Sequence, residues 1–177
     1  MKGNLKIVSI KDKQFESLVR SFYQPLYRYA YWNTKNRAAA EDLVQETFTR
    51  AWKSLHQLKD IDAAKPWLYT ILSRENARRF ERKQLPMVEL SEEWQLEQIA
   101  ENQDDIETML LRRAIFQLPD NFRQPLALQV IGGLSTEEIA EVLELNGNTV
   151  STRLFRARAE LKRQMSQTQS IRGKNNG

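Results

Sequence analysis

The stretch that most restricts this chain runs from Leu134 to Lys162, LSTEEIAEVLELNGNTVSTRLFRARAELK. Ser135 is followed three residues later by Glu138, the spacing of a capping box, in which hydroxyl and carboxylate satisfy the orphan amides of a helix N-terminus. Gly132-Gly133 ends whatever precedes it. A helix is therefore predicted from about Thr136, with Ile139, Ala140, Val142 and Leu143 at helical spacing. The polar, glycine-containing run from Glu144 to Asn148 breaks that period and supplies a turn. A second period then begins: Val150, Leu154, Ala157 and Leu161 fall on one face, and Thr149, Thr152, Arg153 and Arg156 on another. Two short helices joined by a tight turn, the second densely basic, make a helix-turn-helix with one face to pack and one to read.

The reading face suits DNA. A helix fits the major groove, an arginine can take guanine bidentately, and hydroxyls with further arginines hold phosphates. Arg158, Lys162 and Arg163 extend the charge. A surface helix can carry as many cations simply as a solvated face; the capping box and turn beside this one favour the DNA reading.

The rest of the chain narrows the alternatives. Its 177 residues leave room for one medium domain or two small ones. Hydrophobic residues at 41% and charged residues at 28% place it among globular proteins. The net charge of +4 is modest, so its meaning lies in its clustering. With no cysteine, disulfides, thiolate zinc sites and thiol switches within the chain are excluded. The single His56 cannot build a histidine metal cluster or a self-contained catalytic triad. No cofactor, metal or small-molecule substrate is expected. No apolar run approaches the ~20 residues of a membrane span, and the start MKGNLKIVSI lacks a signal-peptide core, so the expected location is the cytoplasm.

Taken in order, a polar tail at 1–12 is expected to precede a helical pattern through Phe15, Leu18, Val19, Phe22, Leu26, Tyr29 and Ala30, with a kink or break near Gln24 forced by Pro25. A second pattern from Ala38 to Leu55 puts Leu43, Val44, Phe48, Ala51 and Trp52 on one face and Asp42, Gln45, Glu46 and Thr49 on a neighbouring one. A third starts at Pro66, where a missing amide costs nothing, and runs through Trp67, Leu68, Ile71 and Leu72 to Arg82. Its later half carries Arg74, Arg78, Arg79, Arg82 and Lys83. Between Gln84 and Leu111 the charge inverts, with Glu89, Glu92, Glu93, Glu97, Glu101, Asp104, Asp105 and Glu107 and no lysine or arginine, so an acidic linker is predicted over 85–104. New helical patterns follow from near Asp105 to Leu118 and from Asn121 to Ile131, with Pro125 placed near the latter's first turn. The expected architecture is all-α: two small helical domains, 13–84 and 105–166, joined by a linker, the second holding the helix-turn-helix, with a tail at 167–177.

These residues resemble a known family, the bacterial sigma factors of the extracytoplasmic-function group, which retain only sigma domains two and four. The resemblance rests on AEDLVQETFTRAW and KPWLYTILSRENARRFERK in the first domain, and on LPDNFRQPLALQVIGGLSTEEIAEVL and TVSTRLFRARAEL in the second. It implies a promoter-specificity subunit with no catalysis of its own. Asp42, Gln45 and Glu46 would grip the β′ clamp helices of core RNA polymerase, whose β subunit is a further expected partner. Lys65, Trp67, Arg74, Asn76, Arg78, Arg79, Arg82 and Lys83 would meet the −10 element as its non-template strand separates, with Trp67 weighed more heavily as core than as base pocket. Thr149, Ser151, Thr152, Arg153, Arg156 and Arg158 would dock on the double-stranded −35 element. An anti-sigma factor, able to hold the chain at the inner membrane, is the implied regulator. Three departures bear on this: Glu144 stands where such motifs often place glycine, Ser151 where relatives often carry a basic residue, and Arg74 where many have asparagine. Two other readings stay open on the residues alone: a two-domain DNA-binding regulator whose first domain senses a ligand or partner, and a DNA-acting enzyme such as a recombinase, for which no catalytic cluster is visible.

Overall fold

In the computed structural model, the backbone of residues 2–82 and 106–174 and the side chains of residues 11–81 and 110–167 are described. Seven α-helices span them, and no strand occurs among the described residues. They are α1 (Lys2–Thr34), α2 (Arg37–Ser54), α3 (Ala64–Arg82), α4 (Ile106–Gln117), α5 (Asp120–Val130), α6 (Thr136–Leu143) and α7 (Gly147–Lys174), with short 3₁₀ turns at Leu55–Gln57 and Ile61–Ala63. The chain divides into two compact units, with α1–α3 in the first and the bulk of α4–α7 in the second.

In the first unit, α1 packs on α2 and α2 on α3. Members of the apolar stripes expected from the sequence form the core: Leu18, Leu26, Tyr29 and Ala30 from α1, Leu43, Val44, Phe48 and Ala51 from α2, and Leu68 and Leu72 from α3 are all buried, joined by Tyr69, which the stripe did not include. Asn36 caps α2, its Oδ1 accepting from the Ala39 amide at 2.8 Å. Lys35, just before it, turns the chain with a left-handed φ of 54°. The third helix starts at Ala64, two residues before the expected start at Pro66, which stays within its first turn.

One expectation about α1 is corrected. The chain does not break near Gln24: the helix continues through Pro25. Ser21, whose carbonyl loses its helical donor to the proline ring, is exposed, so water can supply the missing bond. The helix begins at Lys2, within the polar segment 1–12. The predicted acidic linker lies outside the described residues.

In the second unit, α4 and α5 pack against α7, and Leu118, Leu126, Leu128, Ile139, Val150, Leu154 and Ala157 are buried. Pro125 falls in the second turn of α5 rather than the first, since the helix starts at Asp120. A buried arginine closes the α4–α5 corner. Arg123 Nη1 donates to the carbonyls of Phe116 (3.2 Å) and Leu118 (2.9 Å), at the end of α4, and Nη2 pairs with Asp120. Gly133 leaves α5 with φ 59°, a left-handed conformation that glycine takes without penalty. The helix α7 continues to Lys174, through most of the expected C-terminal tail.

Candidate polymerase and nucleic-acid interfaces

The helix-turn-helix forms where its residues place it. The Ser135 amide donates to Glu138 Oε2 at 2.7 Å and the Glu138 amide to Ser135 Oγ at 3.2 Å, so the capping box is complete. Glu144 ends α6 in the left-handed conformation, φ 54°. The next amide, Leu145, donates back to the Ala140 carbonyl at 2.9 Å, the six-to-one bond of a Schellman turn. The turn is therefore as tight as glycine would make it, and the non-glycine residue carries the strain. Asn146 then caps α7, its Oδ1 accepting from the Thr149 amide at 2.8 Å.

That start fixes the rotation of α7. Val150, Leu154 and Ala157 face inward, while Ser151, Thr152, Arg156 and Arg158 are exposed and Thr149 and Arg153 half-buried. Thr149, Thr152, Arg153 and Arg156 line an open groove of about 320 Å³ with Asn121 and Phe122 from the start of α5. Arg158 bonds to the Gln129 side-chain oxygen on α5, so part of its guanidinium serves to hold α7 in place. Phe155, which the charge and hydroxyl pattern did not single out, is 74% exposed one turn beyond Ser151. Further along, Arg163 and then Gln164 donate to the Glu160 carboxylate and hold its pKa down at about 2.

In the first unit, Asp42, Gln45, Glu46 and Thr49 are all exposed on α2, opposite buried Leu43, Val44, Thr47 and Phe48. Beside them α1 presents a ladder the sequence reading missed, although the i, i+4 spacing was its signal. The rings of Tyr23, Tyr27 and Tyr31 stack at 6.3 and 6.4 Å, and Tyr23 also stacks on Phe48 at 6.4 Å.

The basic residues of α3 separate into different environments. Arg74 and Arg78 are exposed, whereas Lys65, Trp67 and Arg79 are half-buried. Trp67 packs against the cluster of Leu18, Leu55 and Ala64. Arg79 Nη1 donates to the Ala39 carbonyl at 2.7 Å, pinning α3 to the first turn of α2. Asn76 is only 6% exposed. The side chains of Arg82 and Lys83 lie outside the described residues. Also missed was Glu75, buried at 7% exposure and approached by Arg50 at 2.7 Å and Arg78 at 2.5 Å. Beneath the face, burial pushes the Tyr69 hydroxyl up to about 12.

Among the described residues, no group of three or more His, Cys, Asp or Glu is placed to hold a metal ion. No described helix is long and apolar enough to cross a membrane.

Comparison with known proteins bears on both units. Residues 18–85 match the model of sigma-70 region 2, and residues 108–161 that of sigma-70 region 4. The chain is 31% identical to the RNA polymerase sigma factor YlaC of Bacillus subtilis over 160 residues, 86% of this chain and 92% of that one. It is 30% identical to the ECF RNA polymerase sigma-E factor of Haemophilus influenzae over 166 residues, covering 83% and 85% of the two chains. Among solved structures, the sigma factor RpoE of Bartonella quintana, crystallised with the anti-sigma factor NepR, shares its fold at a TM-score of 0.70 and 22% identity, covering 87% of this chain and 98% of that one.

Proposed function

The chain belongs to the extracytoplasmic-function group of RNA polymerase sigma factors, and from that membership we propose how its two helical units divide the work of directing core RNA polymerase to promoters. The first unit, taken as 13–84, carries the polymerase contact on Asp42, Gln45 and Glu46. It follows the separated −10 strand with Arg74 and Arg78 on α3, continued by Arg82 and Lys83. Buried Asn76 and tethered Arg79 hold that helix in position, and Trp67 supports it from the core. The second unit, taken as 105–166, reads the −35 duplex with α7.

The observation that supports this reading best is the rotation of α7, set at its start by Asn146 and behind it by Glu144. It leaves Ser151, Thr152 and Arg156 outward, with Thr149 and Arg153 at the groove edge. Hydroxyls and guanidiniums at those positions are the groups that bind phosphates and guanine edges. The chain does no chemistry itself; polymerase supplies it. It acts in the cytoplasm and is held inactive by an anti-sigma partner, as the Bartonella protein was captured with one.

The test is competition for core polymerase. Gln45→Lys with Glu46→Lys is expected to weaken binding against a second sigma factor at a cost of at most about 1 kcal/mol in stability, because both side chains are exposed, Glu46 gives up only a surface pair with Arg50, and reversal adds repulsion to lost contact. Unchanged competition strength would remove α2 from the polymerase interface.

A further inference from the structure

A chain of charges crosses the first unit from the exposed face of α2 to the basic face of α3. Glu46 Oε1 lies 2.9 Å from Arg50 Nε. The same Nε lies 2.7 Å from Glu75 Oε1, which in turn lies 2.5 Å from Arg78 Nη1. The ends are open to solvent, with the side chains of Glu46 and Arg78 49% and 48% exposed, while Glu75 in the middle is 7% exposed. Arg50 Nε carries a single N–H between two carboxylates, and it is aligned well enough to bond with neither. One donor thus has two competing acceptors, and one buried carboxylate oxygen has two competing cations.

We propose that Arg50 and Glu75 are positioning residues that couple engagement of Glu46 on α2 to the freedom of Arg78 on α3 to bind a DNA phosphate. When Glu46 is taken by a cationic group of its partner, Arg50 turns its N–H wholly to Glu75. The Glu75 charge is then answered by Arg50, its hold on Arg78 weakens, and Arg78 becomes available to the strand. Burial of Glu75 makes the exchange effective, because charges near a low-dielectric site interact more strongly than at the surface. The free protein therefore keeps one of its strand-binding cations engaged until polymerase is bound. The coupling is reciprocal, so DNA on Arg78 also favours the partner at Glu46. This rests on the assignment of the α2 face to polymerase and of Arg78 to DNA.

The test uses the full chain without polymerase and a mixed-sequence single-stranded DNA 20-mer, measuring affinity and its salt dependence. Glu46→Gln keeps the side-chain shape but is a weaker acceptor, so it mimics an engaged Glu46. It is expected to tighten binding about 5-fold, at the low end of usual coupling strengths, and to steepen the salt slope by about 0.7, one added phosphate contact. In an Arg78→Ala background the gain and the added slope disappear. Asp42→Asn removes an equal charge from the same face outside the relay; its effect is expected to be smaller and to persist in the Arg78→Ala background. Glu75→Gln, isosteric and checked for unchanged thermal unfolding, is expected to reproduce the gain and abolish any further effect of Glu46→Gln. Independent effects of Glu46→Gln and Arg78→Ala would overturn the coupling while leaving the DNA face intact. Arg78→Ala with unchanged affinity would overturn the DNA-face assignment, and the coupling with it.

Discussion

Arg123 holds the corner on which the −35 helix rests, and its removal has a magnitude that follows from its contacts. Its side chain is 4% exposed, and the guanidinium donates to the Phe116 and Leu118 carbonyls at 3.2 and 2.9 Å. Hydrogen bonds from a charged donor contribute about 1.5 to 3 kcal/mol each, and truncation strands both acceptors. The pair with Asp120 adds little, because that carboxylate is 61% exposed. Allowing water to reach part of the vacated space, Arg123→Ala is expected to destabilise the second unit by about 3 to 4 kcal/mol. Residues 106–174 at roughly 0.05 to 0.15 kcal/mol each make a unit of about 3 to 10 kcal/mol, so the loss is between about a third and the whole of its stability. Arg123→Met keeps the aliphatic stem and loses only the bonds, so it should recover less than half of the deficit. Hydrogen exchange by mass spectrometry distinguishes the units: amides of α5 and α7 should lose protection together while those of α2 and α3 do not change. If both variants lie within about 1 kcal/mol of the parent, the two carbonyls are satisfied by other means and the corner does not depend on Arg123.

Glu144→Gly should stabilise the second unit by about 1 kcal/mol, since glycine takes the left-handed φ of 54° without a side-chain penalty; a lower unfolding midpoint would show that Glu144 contributes more than it costs. Ser135→Ala should cost about 1 kcal/mol by opening the capping box, read in the same denaturation experiment, and no change would mean the box is ornamental. Tyr69 is fully buried with no partner for its hydroxyl, so Tyr69→Phe should leave the first unit equally or more stable, and a loss above about 1 kcal/mol would reveal a bond the geometry does not contain. The raised pKa of Tyr69 means that the folded state keeps a proton the unfolded chain gives up near 10. The first unit should therefore lose stability as pH climbs from 10 through about 12, and lose none of this component in the phenylalanine variant. The Glu160 carboxyl should titrate at about 2 by NMR and return toward 4.5 in Arg163→Ala. Its contribution is present above 4.5 and fades as pH falls toward 2, and an unmoved midpoint would contradict the pairing.

Local patterning was enough to read the elements that depend on neighbours in sequence. The capping box of Ser135 and Glu138, the turn, the rotation of α7 and the exposed face of α2 all follow from residues three or four apart. What the sequence hid were contacts made by charged or polar side chains with distant partners. Arg123 and Glu75 carry charge, and a charged residue is ordinarily placed on the surface; only the folded corner and the α2–α3 contact reveal their partners. Arg79 looked like one more cation in a basic run, yet its acceptor is the carbonyl of Ala39, forty positions away. Asn76 sits between exposed Arg74 and Arg78 in sequence but turns inward. Pro25 invited a break, but the helix continues through it beside exposed Ser21. The strain at Glu144 was legible only as an unusual residue, since a left-handed φ is a property of the backbone and not of the letter.

The central claim, that this chain directs polymerase by reading two promoter elements with two units, is tested most directly by transcription from a randomised promoter library with core RNA polymerase. The account predicts that the chain enriches promoters with defined −35 and −10 elements. Arg156→Ala should relax preference at a single −35 position at about 1 to 3 kcal/mol of discrimination, with the −10 preference unchanged. A chain that supports no transcription from any library member, or an Arg156→Ala variant that enriches the same −35 sequence with the same strength, would contradict it.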